Sequence, residues 1–297
     1  MKAVAHCFAK GARIQPLPIN FKYRDYEVTI KADKSEADDD GLLLQVLREV
    51  DPTSLIPPPK DEIDEQGLFI EKRMRPYKEI LTEVAHLIEG VLSISYIATP
   101  PKFDTDRIVV NIHPENAEEE RMIRDGEVSG GFGNVFSQSP KPSYSWTSAV
   151  AANIPKAEGH IPALSFLTQA MRSQDRNDQE VAFFLYFRII EGYFSDGASD
   201  VERALLRGAN ELSKYIRYTQ KTIDASSAVL SSLQLRSKAQ VNFAGLLKDL
   251  VLIRHKMTHF SKTNAVRHHQ PGLKYDLNIL NQELRGACIF ILRDMTK

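Results

Sequence analysis

The chain has 297 residues, 42% of them hydrophobic and 26% charged, with a formal net charge of −1. This is the composition of a soluble globular protein long enough for two domains with separate cores. No stretch reaches 18 consecutive apolar residues, so no membrane span is expected; the two cysteines, Cys7 and Cys288, offer neither a disulfide framework nor a zinc ligand set and point to a reducing, cytoplasmic setting.

The first ten residues are interrupted by His6 and are too short for a signal-peptide core. Residues Phe21 to Lys31 alternate aromatic and β-branched side chains, with a phase change at Arg24 and Asp25 that predicts a bulge or a turn. An acidic loop follows at Asp33 to Asp40, then a short apolar run from Leu42, then a loop at Pro57-Pro58-Pro59. The triple acid Asp38-Asp39-Asp40 has the oxygen ligands a hard cation takes, but such a charge run is ordinarily solvated. A helix fits 71 to 91, with Ile80, Leu81, Val84, Leu87, Ile88 and Val91 on one side, and Ser93 to Ala98 and Arg107 to Ile112 read as strands. Residues 1–125 are therefore expected to form a mixed α+β domain, a candidate sensor or regulatory element.

Ser129 to Asn134 is glycine-rich but lacks the Gly-Lys-Ser/Thr ending of a phosphate loop. With Pro140 and Pro142 after it, the stretch 126–159 reads as a linker. From residue 160 to 297 the periodicity is helical throughout. A helix is expected from near Pro162 through Met171 and another over about 178 to 195. A capping box at Ser199 to Glu202 opens a third through Leu205, Leu212 and Ile216. Ser226 to Ser237 reads as a long connection or a short extra helix. Phe243, Leu246, Leu247, Leu250, Ile253 and Met257 form the next stripe, ending near Thr258, and Leu277, Leu280, Leu284, Cys288 and Ile291 form the last. The expected fold class is α+β: a mixed N-terminal domain followed by an all-α helical bundle.

Charge divides the same way. Residues 161–297 carry 19 Lys+Arg against 13 Asp+Glu, and 203–274 carry 13 against 3. Four of the eight histidines lie between His255 and His269. A basic stretch of this kind suits a polyanion such as RNA, with Lys256, Lys262, Arg267, His268 and His269 as candidate contacts.

Within that stretch Arg254 falls on the apolar stripe of its helix, where a lone guanidinium is costly unless it is paired or faces a cleft. The aromatic helix Val181 to Phe194 likewise encloses one acid, Glu191, and an ion pair between the two is expected. Arginine and histidine together suit metal-free RNA cleavage: a guanidinium can fork onto phosphate oxygens, and a histidine can move a proton near neutral pH. On an ideal helix His259 lies about 140° from Arg254, so either the helix ends near Thr258 or a second subunit completes the site. The His255/His259 spacing also suits paired metal ligands, but no glutamate lies between them and no acid is near in sequence. No metal and no cofactor is expected.

The segment Arg254 to His259 resembles the signature of HEPN domains: arginine, then Asn, Asp or His, then three residues, then histidine. The stretch Tyr186 to Glu191 resembles the aromatic helix with a glutamate of the ApeA-like branch of that superfamily. The resemblance covers about 160–297. It implies a HEPN-like up-and-down bundle of four or five helices and a homodimer or higher even oligomer. It also implies an endoribonuclease that cleaves by the 2'-hydroxyl without metal, a role suited to a toxin or antiviral effector with a regulatory protein partner. Arg254 and His259 would be the catalytic pair and His255 a supporting polar residue. The alternatives are a non-catalytic RNA-binding or assembly module, and an accessory protein in which arginine and glutamate only hold the core together.

Overall fold

The computed structural model describes residues 2–10, 13–33, 41–49, 68–105, 108–113, 115–117, 119, 143–195, 197, 200–258 and 271–296. The Asp38–Asp40 and Ser129–Asn134 motifs and the proline cluster lie outside them. The chain is mixed α+β and divides into two compact units, one of 1–89 with 100–155 and one of 90–99 with 156–297.

The first unit is built on five antiparallel strands in the order β3-β4-β5-β1-β6. They are β1 (Lys2–Lys10), β3 (Ile19–Tyr23), β4 (Tyr26–Asp33), β5 (Gly41–Glu49) and β6 (Val109–His113). A short β2 (Arg13–Gln15) pairs in parallel with β7 (Ser143–Ser145). The phase change at Arg24 and Asp25 is a two-residue hairpin turn: Tyr23 faces Tyr26, and Arg24 has a positive φ of 54°. Period-two alternation buries Ala3, Ala5, Cys7 and Ala9 on β1 beside Leu42, Leu44 and Val46 on β5. The hairpin is tied to helix α1 (Leu68–Tyr96) through Glu83, which accepts from the Tyr23 hydroxyl at 3.3 Å and pairs with Arg24 at 3.0 Å. Glu89, also buried, accepts the Phe103 N–H at 2.8 Å.

Helix α1 outlasts the expected 71–91, and the strand expected over Ser93 to Ala98 is instead its last turn. The short β-like run there is overridden by packing: Leu92, Ser93 and Ile94 are all buried, which suits a helix face continuing the stripe before them. The α1 end carries no basic residue of its own. Its orphan carbonyls are met by the final helix, Arg293 donating to Ile94 and Ser95 and Arg285 to Ile97. The segment expected as a linker, 126–159, contains β7 and helix α2 (Ser148–Ala157), opened by Thr147 accepting the Val150 N–H.

The second unit is helical: α3 (Ile161–Asp175), α4 (Gln179–Phe194), α5 (Val201–Arg207), α6 (Ala209–Leu212), α7 (Gln220–Ser232), α8 (Phe243–Thr258) and α9 (Pro271–Met295). The third expected helix is broken at Gly208 into α5 and α6, and its N-cap is Asp200, which accepts the Arg203 N–H at 3.0 Å. The serine-rich stretch supplies the end of α7 and the loop after it. Helix α4 packs on α3, α8 and α9, and α7 packs on α8 and α9. Tyr193 meets His160 while Tyr186 meets Gln174, so α3 and α4 run antiparallel. Asn281 reaches Gln179 and Cys288 reaches Tyr186 at the same sequence offset, so α4 and α9 run parallel. α3 and α4, consecutive in the chain, are thus an antiparallel pair.

Candidate functional site: a groove beside Arg254

The site begins with helix α4. Asp178 caps it, and Phe183 stacks on Phe187 one turn on. Ala182, Phe183, Tyr186, Phe187, Ile189 and Ile190 are buried, leaving Glu191 as a carboxylate at the edge of an apolar face. Its residue is 8% exposed. The helix end is fixed at the same position, because the Glu191 carbonyl accepts both the Ser195 N–H at 2.9 Å and the Ser195 hydroxyl at 2.6 Å.

Helix α8 brings the partner. Asn242 accepts the Gly245 N–H at 2.9 Å at its start, and Leu246, Leu247, Leu250 and Ile253 are buried along it. Arg254 donates through Nη2 to Glu191 Oε1 at 3.1 Å and to Oε2 at 3.4 Å. The structure therefore brings together the two charges that the sequence placed inside apolar stripes. Arg254 itself keeps 25% of its side chain exposed. It is a guanidinium at the border of the core, less buried than its position on the stripe implies.

A residue that sequence reading passed over completes the cluster. Arg188, one turn before Glu191, donates through Nη1 to Glu191 Oε2 at 3.0 Å. The i,i+3 spacing on one helix was the available signal, hidden because Arg188 sits at the solvent side of an aromatic run. One carboxylate thus holds two guanidiniums.

Arg254 and His255 also line an open groove of about 430 Å³. Val251, Leu252, Arg254 and His255 form the α8 bank, and Asp200, Val201 and Glu202 at the start of α5 form the other. Val251, Arg254 and His255 stand at i, i+3 and i+4, which puts them on one side of the helix. The acidic bank is itself paired, Asp200 with Arg203 at 3.3 Å and Glu202 with Lys248 at 4.0 Å. Lys256 follows on α8, half-buried. His259, Lys262, Arg267, His268 and His269 lie outside the described residues.

The loop before α8 is held by a second residue missed in sequence. Asp249, 1% exposed, accepts the N–H groups of Lys238 and Ala239 at 2.8 and 3.1 Å and the Ser237 hydroxyl at 2.5 Å. Gly245 belongs to the same contact, since a Cβ there would run into the Lys238 carbonyl. Asp249 thus anchors the helix that carries Arg254 five residues later.

Other chemistry finds no comparable arrangement. Among the described residues, no group of three or more His, Cys, Asp or Glu is placed to hold a metal ion. Cys7 and Cys288 are buried, and burial pushes both thiols well up from their ordinary range, away from the reactive thiolate. No described helix is long and apolar enough to cross a membrane. No known protein family, curated protein or solved structure matches this chain.

Proposed function

We propose that the helical unit is a HEPN-like, metal-independent endoribonuclease, with the groove beside Arg254 as its RNA site. The observation that carries this reading is the joint placement of Arg254 and His255 on the wall of one open groove, with Arg254 steadied from behind by buried Glu191. An arginine held in place needs no reorganisation to meet charge that develops on a phosphate. The basic balance of 203–274, with 13 Lys+Arg against 3 Asp+Glu, supplies attraction for a polyanion.

In the proposed reaction the 2'-oxygen of RNA attacks the adjacent phosphorus. The new oxygen–phosphorus bond closes a 2',3'-cyclic phosphate, and the bond to the 5'-oxygen breaks. A histidine takes the 2'-hydroxyl proton, and a proton returns to the leaving 5'-oxygen. His259 is assigned the proton transfer, Arg254 stabilises the phosphorane charge, and His255 supports it from the groove. A homodimer that places two such motifs in one cleft belongs to the same proposal, as do a regulatory partner and a toxin or defence role.

One observation favours a second reading, a non-catalytic RNA-binding module: Arg254 already spends two hydrogen bonds on Glu191, as a purely structural ion pair would. Incubation of the purified protein with RNA in excess EDTA separates the two. The first reading expects cleavage to products ending in a 2',3'-cyclic phosphate, abolished in His259→Ala and reduced in His255→Ala. Retention of RNA without cutting would leave the binding module, and neither binding nor cutting would overturn both.

A further inference from the structure

We propose that the two loops flanking α7, 213–219 and 233–242, form a second contact for single-stranded RNA, at which Arg217, Arg236 and Lys238 take phosphates and Tyr218 stacks on a base. The proposal rests on the preceding reading only in taking the polyanion to be RNA; it needs neither the groove beside Arg254 nor cleavage.

Charge singles this surface out. From 213 to 243 the sequence carries five Lys+Arg against one acid, Asp224. Asp224 accepts from Gln220 at 2.7 Å, Lys214 is paired with Glu211, and Lys221 reaches Gln282 at 3.4 Å. Arg217, Arg236 and Lys238 are exposed, and none of them makes an ion pair with a described residue. The carboxylate beneath the second loop, Asp249, is buried and engaged by the backbone N–H groups of Lys238 and Ala239.

The surface is also held still. The Tyr218 hydroxyl donates to the Ala239 carbonyl at 2.6 Å, which ties the two loops together and sets Arg217 and Lys238 each one residue from the tie. Both backbone groups of Lys238 are taken, its N–H by Asp249 at 2.8 Å and its carbonyl by the Val241 N–H at 3.2 Å. The Arg217 carbonyl accepts the Thr222 hydroxyl at 3.1 Å, in the first turn of the helix that Thr219 caps. Side chains carried on a pinned backbone have less freedom to lose when a strand binds.

Apolar groups stand among these cations. Tyr218 is 40% exposed and Val241 79%. Tyr218 meets Phe243 at 84°, with ring centroids 6.2 Å apart, so at least one face of the phenol ring is clear of Phe243. Cations beside an exposed ring suit an unpaired strand, whose phosphates take the charge while its bases stack without regard to sequence. A duplex keeps its bases stacked inside, and an acidic peptide has no base to offer. Helix α8 rises about 16 Å from Phe243 to Arg254. The contact therefore lies towards the opposite end of α8 from the groove and takes a different part of a bound strand.

The test is fluorescence anisotropy with a labelled single-stranded RNA oligonucleotide, in EDTA, across a series of KCl concentrations, using the full chain. Each phosphate contact removed reduces the slope of log K against log salt by about 0.7 for a single strand. A chain carrying both Arg217→Gln and Lys238→Gln should therefore bind several-fold more weakly, with a slope smaller by roughly twice that amount and an unchanged melting temperature. Tyr218→Leu should lose affinity at an unchanged slope, and Tyr218→Phe should bind like wild type, because the ring stays and Asp249 still holds the loop. Lys22→Gln, an exposed charge removed from β3, serves as the comparison. Wild-type slope and affinity in the double variant, with RNA still bound and cut by the wild type, would overturn the contact and leave the proposed function standing. The expected losses in a protein that binds RNA and never cuts it would support the contact and remove the catalytic reading. Equal losses in Tyr218→Phe and Tyr218→Leu, or an equal effect of Tyr218→Leu on duplex RNA, would overturn the stacking. Polyglutamate competing as well as unlabelled RNA would overturn the choice of ligand in favour of an acidic protein, and no binding of RNA by the wild type would overturn the contact outright.

Discussion

Substitution of Asp249 by alanine should be among the most damaging single changes in the helical unit. Its carboxylate accepts two backbone N–H groups and the hydroxyls of Ser237 and, at 3.5 Å, Ser226, and it is 1% exposed. A buried donor left without an acceptor costs about 1 to 3 kcal/mol. The Ser237 hydroxyl can turn toward Ser227, already 2.9 Å away, and Lys238 stands at the surface where water can reach its amide. Ala239 is fully buried, and the one acceptor left to its N–H is the Ser237 hydroxyl oxygen at 3.1 Å. Counting Ala239 and Lys238 each in part gives a loss of about 1 to 3 kcal/mol, a sizeable share of the roughly 5 to 15 kcal/mol of an ordinary domain. Urea denaturation followed by circular dichroism should show the midpoint falling accordingly, and hydrogen exchange at the Lys238 and Ala239 amides should quicken. Asp249→Asn, which keeps one acceptor oxygen, should fall between. Asp224→Ala on α7 removes an exposed carboxylate that accepts from Gln220 at 2.7 Å, and should stay within about 0.5 kcal/mol of wild type. If Asp249→Ala were as stable as Asp224→Ala, the loop would be held by something other than this carboxylate.

Glu191→Ala should lower stability by about 1 to 3 kcal/mol because two guanidiniums lose their acceptor, and on the proposed reading it should weaken RNA binding because Arg254 is no longer steadied on the groove wall. A variant of wild-type stability would remove the ion pair from the account of how α4 and α8 are held together. Tyr193, pushed up to about 12 by burial and 2.7 Å from His160 Nδ1, stays protonated in the folded chain after the unfolded chain has ionised near pH 10. Folding should therefore lose stability as pH rises from about 10 to about 12, and Tyr193→Phe should lose less over that window; parallel profiles for the two proteins would show that another group carries the alkaline loss.

Much of the fold was legible because single patterns dominate it. The stripes at 243–257 and 277–291 and the aromatic helix at 179–194 each sustain one period over several turns, and packing did not override them. The turn at Arg24 and Asp25 showed as a change of phase. Ser93 to Ala98 failed for the opposite reason: six residues cannot distinguish a strand from the end of a buried helix, and the arginines that cap that end come from some 190 positions away. The Glu191–Arg254 pair was legible because each charge stood alone in an apolar stripe. Arg188 and Asp249 were not. One lies on the solvent side of its helix, and the other is buried with donors from a loop whose course the sequence does not reveal.

The carboxylates on the α5 bank bear directly on whether a polyanion can use the groove. Asp200 and Glu202 face Arg254 and His255 across it, and alone they would repel a phosphate. Each is met by a cation, yet every side chain in those pairs is 37% exposed or more, and such pairs contribute only about 0 to 1 kcal/mol and are weakened by salt. Arg254 differs, because the carboxylate that holds it is 11% exposed. Rising salt therefore loosens the α5 pairs first while Arg254 keeps its partner. On the proposed reading, a strand drawn in by the general basic charge of 203–274 would meet Arg254 on the groove wall, held from behind by Glu191. Neutralising Asp200 and Glu202 should accordingly raise affinity without changing which phosphate contacts are made, whereas losing Arg254 should change the contacts themselves.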